Sequence, residues 1–397
     1  ELLMKIAVVA DVLGAENNGT TIAAMNLIRS LKAKGHEVRV ICPDTDKIKE
    51  PGYYIVPTLV FKRLKFINRY IEKNQVTIAR ADQKIMEEAL SDVDIIHSMV
   101  GFSLGMFALK YSREHHIPFT SGFHAQAENI TSHFRLANSE IANFQVYSFL
   151  WHHYFKHVDA IHYPTQFIRD LFESYFGHTN GFVISNGVHA LFTPRPVASR
   201  PENHKFTILM IGRYSYEKNQ LLLYKAMRYS QHQKDIQIIF AGQGPVEKKM
   251  LKAGKKLINK PLLGFYKHDQ LRDIIDQADL YVHTANIEIE SISCLEAISS
   301  GLVPLISNSK LSAARYFALE PRSLFEADNP RDLAKKIDYW FENQDELVEA
   351  RKLYQGFTEH FAFDHCMDAM EKMLIKTYQD YHKKHGKKFI VTKQEEK

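Results

Sequence analysis

Cysteine is scarce in this chain: Cys42, Cys294 and Cys366 are the only three among 397 residues. They share no metal-ligand spacing, which excludes a disulfide framework and a cysteine-built metal site and makes a reduced, cytoplasmic setting the expectation. Long apolar runs are missing as well. The apolar-rich, uncharged stretch 95–109 has 15 residues and contains His97, Ser98 and Ser103, too short and too polar to span a bilayer. The first residues show no basic segment leading into an apolar core, so a secretory signal is not expected. Neither sign of charge dominates: 51 Lys and Arg stand against 46 Asp and Glu, for a net +5. That balance excludes general nucleic-acid binding. With 13 Pro, 18 Gly, 45% apolar and 24% charged residues, the composition is that of a folded globular protein. The length points to two domains of roughly 200 residues each.

What is present is an alternation of strand and helix patterns, run through twice. Residues 5–10 (KIAVVA) form a continuous apolar run, as in a parallel strand buried on both faces. A helical pattern at 21–34 follows, with Gly35 as its stop, then a second strand at 37–42. Further strands are expected at 94–97, 118–123, 160–163 and 182–185. A Pro-, Arg- and Asn-bearing stretch (TPRPVASRPENH, 193–204) breaks the rhythm, and the linker is placed at 197–204. The rhythm restarts at 206–212 (FTILMIG) and continues at 237–242, 279–283 and 302–306. Helical patterns at 330–341 and 344–382 close the chain. The fold class is therefore α/β, with two doubly wound parallel sheets. Such sheets bind ligands beyond the carboxyl ends of their strands, which places the expected site in a cleft between two facing domains.

The unusual residues sit in loops after strands. Gly19 follows Asn17 and Asn18 and precedes a helix, where free amides suit a phosphate; taken alone, a plain helix N-cap is the better account of it. Arg213 and Lys218 follow the first strand of the second half, and a guanidinium fork with an ammonium point charge suits a diphosphate. The run Ile287-Glu288-Ile289-Glu290-Ser291-Ile292-Ser293-Cys294-Leu295-Glu296 opens a helix. Its carboxylates could simply complement the helix dipole, yet small residues there leave amides open to an anion, and carboxylates pair with sugar hydroxyls.

Seven features in order carry a resemblance to a known family: the first strand with the Gly19 loop, Phe123-His124, Ser185-Asn186-Gly187-Val188, Gly212-Arg213 with Lys218, Ala241-Gly242-Gln243-Gly244-Pro245, Leu263-Gly264-Phe265, and Glu288-x7-Glu296. From residue 4 to about 382 the chain resembles the retaining glycosyltransferases of family four. The resemblance implies the GT-B architecture: Rossmann-like domains at 1–196 (acceptor) and 205–365 (nucleotide sugar), and a C-terminal helix at 366–397 returning to the first domain with a basic tail. It implies that Arg213 and Lys218 neutralise the donor diphosphate, with the amides of Gly19 and of Ser291, Ile292 and Ser293 assisting. Glu296 would hold the ribose, the backbone near Tyr266 the base, Glu288 the transferred sugar's hydroxyls, and His124 would sit by the anomeric centre. The implied catalytic set is Glu288, His124, Arg213 and Lys218, with no cofactor, no metal and no enzyme nucleophile. The expected reaction moves a hexose from a nucleotide diphosphate sugar, UDP-linked, to an acceptor hydroxyl by front-face displacement. The chain departs from the family at Asn18, where a glycine is usual, and at Ile289-Glu290-Ser291-Ile292, where Pro-Phe-Gly-Leu or similar is usual, which bears on sugar preference.

Three further patterns were weighed. Asp92-Val93-Asp94 has the form of a metal-binding DxD but falls at a helix-to-strand turn. His115-His116 and His152-His153 with His157 lack ligand spacing. Between 60 and 73, apolar residues recur at helical spacing beside Lys62, Arg63, Lys65, Phe66, Arg69, Tyr70 and Lys73. That pattern fits contact with an anionic membrane surface, and equally a core-facing helix with a solvated face. The first reading makes a membrane lipid or glycolipid the leading acceptor and places the enzyme peripherally on the inner face of the membrane. The alternatives are a soluble, capsule or cell-wall glycan acceptor, a sugar-nucleotide epimerase, or a non-catalytic GT-B partner subunit.

Overall fold

The structure, a computed structural model, describes residues 2–14, 19–44, 46, 48–58, 76–127, 138–196 and 200–394. The membrane-contact candidates Lys62 to Lys73 and the Asn17-Asn18 pair lie outside the described residues. The chain divides into two compact units: Glu1–Ser185 with Cys366–Lys397, and Asn186–His365.

In the first unit the strands are β1 (Lys5–Val9), β2 (Val12–Gly14), β3 (Glu37–Cys42), β4 (Tyr53–Ile55), β5 (Val76–Ile78), β6 (Ile95–Ser98), β7 (Phe119–Gly122), β8 (Ala160–Tyr163) and β9 (Gly181–Val183). Seven of them form a parallel sheet in the order β4-β3-β1-β6-β7-β8-β9; β2 and β5 pair antiparallel. Ile6, Ala7, Val8 and Val9 are fully buried because helices cover both faces of this sheet, which is why β1 is apolar throughout rather than alternating. The sheet order reverses direction at β1, between β3 and β6. The helix Phe363–Gln394 runs into this unit, where Lys34 pairs with Asp368 and Glu371. His36 links the two ends of the unit: its Nδ1 accepts from Met4 N at 3.2 Å, so its Nε2 donates to Glu371 at 2.9 Å.

The second unit holds β10 (Phe206–Ile211), β11 (Ile236–Ala241), β12 (Leu262–Gly264), β13 (Leu280–His283), β14 (Pro304–Ser307) and β15 (Leu324–Phe325), all parallel, in the order β12-β11-β10-β13-β14-β15. β10 is central and buried at every position. Helices pack on both faces, among them Pro330–Glu342. Asn329 caps its first turn, accepting from Arg331 N and Asp332 N at 3.0 Å, and its Trp340 is wholly buried.

Two expectations are corrected. Residues 186–196, expected with the first domain, belong to the second unit: Val188 and Phe192 are buried in its core, and Arg195 pairs with Asp273 and Asp276. The pattern at 344–382 is not one helix. It is Gln344–Gln355, a 3-10 turn at Glu359–Phe361, and then Phe363–Gln394, with Gly356 ending the first.

The loops after β10 and β11 close on each other. A Cβ on Gly242 would lie 2.0 Å from the Gly212 carbonyl oxygen, and one on Gly244 would lie 2.4 Å from that of Tyr214. Gly242→Ala is therefore expected to destabilise the protein by about 3 kcal/mol, the upper end of ordinary overpacking. Urea unfolding measures it; a wild-type midpoint would mean that these loops do not touch.

Candidate active site

The loop after β10 carries Arg213 and Lys218, and the loop after β13 comes to meet it. Thr284 Oγ1 donates to the Lys218 carbonyl at 2.8 Å, and Asn286 N donates to that of Glu217 at 3.0 Å. Asn219, in a left-handed conformation at φ 53°, and Asn286 both donate to Asp328 Oδ1, at 2.9 and 2.8 Å. These bonds fix Lys218 so that its ammonium pairs with the Glu288 carboxylate.

Glu288 is itself fixed. Its amide donates to Leu311 O at 3.3 Å, and its carbonyl accepts from Ala313 N at 2.9 Å. Its carboxylate Oε1 also meets His283 Nε2 at 3.1 Å. Burial pushes this carboxyl upward, but the Lys218 charge and the His283 ring overcome it and hold it down at about 2. His283, buried at the end of β13, is further held by Tyr281 at 3.3 Å and by the Ser291 hydroxyl at 3.2 Å.

Ser291 is the N-cap of the helix Ile292–Ser299 and sits at φ 73°, ψ 70°, a left-handed conformation that costs a side-chain-bearing residue about 1–2 kcal/mol. The usual family glycine would occupy it without strain; here the hydroxyl contact to His283 accompanies the serine. Ile292 begins the helix, and the Ser293 hydroxyl lies 3.5 Å from Tyr281 Oη.

Glu296, one helical turn after Ile292, is buried, and among the described residues its carboxyl has no hydrogen-bond or ion-pair partner. Burial pushes it up to about 8. Two acids eight residues apart in the chain are thus held in opposite protonation states at neutral pH. Glu290, between them, turns away from both. Its carboxylate accepts from Asn186 N at 3.2 Å and from Asn186 Nδ2 at 2.8 Å, tying the helix-entry loop to the Ser185-Asn186-Gly187-Val188 motif.

The remaining candidates are placed as follows. Arg213 is half-buried, and its carbonyl accepts from Gln220 Nε2 at 2.7 Å. Tyr266 follows β12 and folds back over it, so that a Cβ on Gly264 would lie 2.9 Å from the Tyr266 hydroxyl oxygen. Gly19, in the first unit, begins the helix Gly19–Ala33 and has open space where a Cβ would stand. His124 lies just past β7 among His162 and His97, its ring centroid 5.4 Å from that of His162. Burial and then these neighbours hold it neutral, well below the ordinary histidine value.

Asp92-Val93-Asp94 is a turn, with Asp92 on the Lys5 side chain and Asp94 accepting from Lys5 N at 2.7 Å. Among the described residues no three His, Cys, Asp or Glu side chains cluster as metal ligands, and no helix is long and apolar enough to cross a membrane. His283 was not singled out from the sequence. A histidine ending an otherwise apolar strand, five residues before Glu288, was the signal available.

Two parallel-sheet α/β units, with cations and carboxylates gathered on the loops after the strands of the second, define a glycosyltransferase of the GT-B class. Residues 17–190 match the model of Glycosyltransferase Family 4, and residues 195–355 match that of Glycosyl transferases group 1. The chain belongs to glycosyltransferase family four and is a hexosyltransferase. It is similar to the alpha-monoglucosyldiacylglycerol synthase of Streptococcus pneumoniae, 24% identical over 326 residues, covering 77% of this chain and 71% of that one. It is also similar to the GDP-mannose-dependent alpha-mannosyltransferase of Corynebacterium glutamicum, 26% identical over 317 residues, covering 76% and 72%. In fold it resembles Anabaena HepE, solved in complex with UDP and glucose, with a TM-score of 0.69 and 14% identity over 94% of this chain and 99% of that one.

The two acids set opposite pH dependences. Glu288 ionises below its ordinary 4.5, so its stabilisation is full above 4.5 and is lost as pH falls toward 2. Glu296 ionises above 4.5, so its contribution is full below 4.5 and declines as pH rises to about 8. Glu296→Gln is expected to melt above wild type at pH 8.5 and together with it at pH 5, read by thermal unfolding; an offset independent of pH would contradict the assignment.

Proposed function

We propose that this enzyme is a retaining transferase that moves a hexose, with glucose the leading candidate, from a UDP-linked donor to a hydroxyl of a membrane lipid or glycolipid. The observation that carries the donor side is the buried Lys218–Glu288 pair braced by His283, with a carboxyl at Glu296 further along that has no partner among the described residues. Glu296, neutral and without a partner among the described residues, suits a pair of ribose hydroxyls, which accept and donate. Lys218 is held on Glu288 in the absence of donor. A diphosphate brings more negative charge than one carboxylate, so on donor binding Lys218 turns to it and Glu288 is released to grip the sugar's hydroxyls, with His283 still attached.

The bond between the anomeric carbon and the diphosphate oxygen then breaks, its electron pair passing to the phosphate. Arg213 and Lys218 stabilise the growing negative charge, which makes leaving-group stabilisation the main catalytic term. The acceptor oxygen attacks the same face, and its proton passes to the departing phosphate. His124 of the first unit is kept neutral, so it can hydrogen-bond a hydroxyl without carrying charge. These two side chains and the amides at Ser291, Ile292 and Ser293 supply the positive potential, so a metal cofactor is not part of the proposal.

The lipid acceptor is supported by similarity to a protein named for the monoglucosyldiacylglycerol it makes. An epimerase would need an acid–base pair at the sugar; Glu288, once on the sugar's hydroxyls and still bonded to His283, serves there as an acceptor. A non-catalytic subunit is disfavoured by the presence of Arg213, Lys218 and Glu288 together.

Lys218→Ala is expected to lower turnover at least about 100-fold, as for loss of one transition-state charge partner, and to lower the melting temperature, because it leaves the buried Glu288 carboxylate with His283 alone. Transfer from UDP-glucose, with GDP-mannose as the control donor and diacylglycerol as acceptor, is followed by product chromatography with and without EDTA. Unaltered transfer by the variant would remove the diphosphate role, loss of transfer in EDTA the metal-free one, and preference for GDP-mannose the UDP one.

A further inference from the structure

The helix Glu140–His153 of the first unit is not built like a solvated surface helix. From 141 to 155 the sequence (IANFQVYSFLWHHYF) contains no Asp, Glu, Lys or Arg. Asn143, Tyr147 and Leu150 turn inward and are buried. Ile141 is 74% exposed, Phe144 44% and Phe149 55%. At about 100° per residue these three fall on one outward arc, with only Gln145, Ser148 and His152 between them. The neighbouring helix Gln166–Phe176 extends this surface: Phe176 stacks on Trp151 at 5.4 Å and on Phe144 at 6.1 Å.

The end of the helix carries one cation, Lys156, and three imidazoles. His152, His153, Lys156 and His157 are all exposed, and among the described residues none is paired with a carboxylate. A solvated helix would place charged side chains where Ile141, Phe144 and Phe149 stand, and a contiguous exposed aromatic surface marks a contact. Aromatic rings beside a lysine and hydrogen-bonding imidazoles match the layered chemistry of an anionic bilayer surface, with acyl chains below and phosphates above. A protein partner would have to present carboxylates to that end and an apolar hollow to the ridge; the lipid surface offers both at once.

We propose that this outward face is a bilayer-contact surface, with Ile141, Phe144 and Phe149 entering the boundary between headgroups and acyl chains and Lys156 lying against anionic headgroups. The inference deepens the lipid-acceptor reading and rests on it for its purpose. It is separate from the basic segment at 62–73.

The test is flotation of the full chain with phosphatidylcholine vesicles, with and without phosphatidylglycerol. The variant Ile141→Ser/Phe144→Ser/Phe149→Ser changes exposed side chains only, and unchanged UDP-glucose hydrolysis and melting would certify its fold. It is expected to lower vesicle partitioning at least about tenfold, given the apolar area removed. Lys156→Glu is expected to weaken binding to the anionic vesicles alone. The proposal is overturned if the triple variant floats like wild type, if only substitution of Lys62, Lys65, Arg69 and Lys73 abolishes flotation, if wild type does not float, or if size-exclusion light scattering finds a dimer that the triple variant dissolves. Vesicle binding that depends on the ridge, without glucosylation of any lipid, would leave this surface standing and remove the lipid-acceptor reading.

Discussion

A carboxylate and an ammonium buried together are stable only while each has the other, because the cost of withdrawing either from water is met by their attraction and by further hydrogen bonds. The second unit is organised around one such pair. Lys218 comes from the loop after β10 and Glu288 from the loop after β13, and each loop is tied down by bonds that do not involve the charges themselves: Thr284 to Lys218, Asn286 to Glu217, and Ala313 to Glu288. His283 adds the extra hydrogen bond that a buried carboxylate needs. The arrangement stores an ammonium at the end of the central strands, next to a helix entry, without leaving it uncompensated in the absence of ligand.

Glu296 shows the opposite solution to the same problem. It is as inaccessible as Glu288 but has no cation among the described residues, and burial keeps it protonated. One carboxyl is therefore an acceptor already engaged and the other a neutral group able to donate and accept. That contrast, rather than the mere presence of two acids, is what suits a ligand with a charged diphosphate flanked by two sets of hydroxyls. Glu290 belongs to neither role. It spends its charge on Asn186, which accounts for an acid where the family has an apolar residue.

Much of this was legible in the order of the residues. Runs such as 5–10 and 206–211 read as strands because a parallel strand covered on both faces needs no polar alternation, and Arg213, Lys218 and Glu288 stand in loops that follow such strands. What could not be read were effects of distance. The units part at Ser185–Asn186 because Val188 and Phe192 find their contacts in the second core, which the Pro-rich stretch downstream does not reveal. His283 looked like the end of a strand; its part depends on a carboxylate brought back by a turn. Ser291 gave no sign of its left-handed backbone, since serine rarely adopts it, and the helix expected through 382 concealed the break at Gly356. The uncharged run at 141–155 was visible in the letters, but without the burial pattern an outward ridge could not be told from a core helix.

The central claim is that a donor diphosphate displaces Glu288 from Lys218. A crystal structure of the protein with UDP-glucose tests it most directly. The account predicts the Lys218 ammonium on a phosphate oxygen, Glu288 on sugar hydroxyls while still bonded to His283, and Glu296 on the ribose. A nucleotide bound elsewhere, with Lys218 still on Glu288, would contradict it.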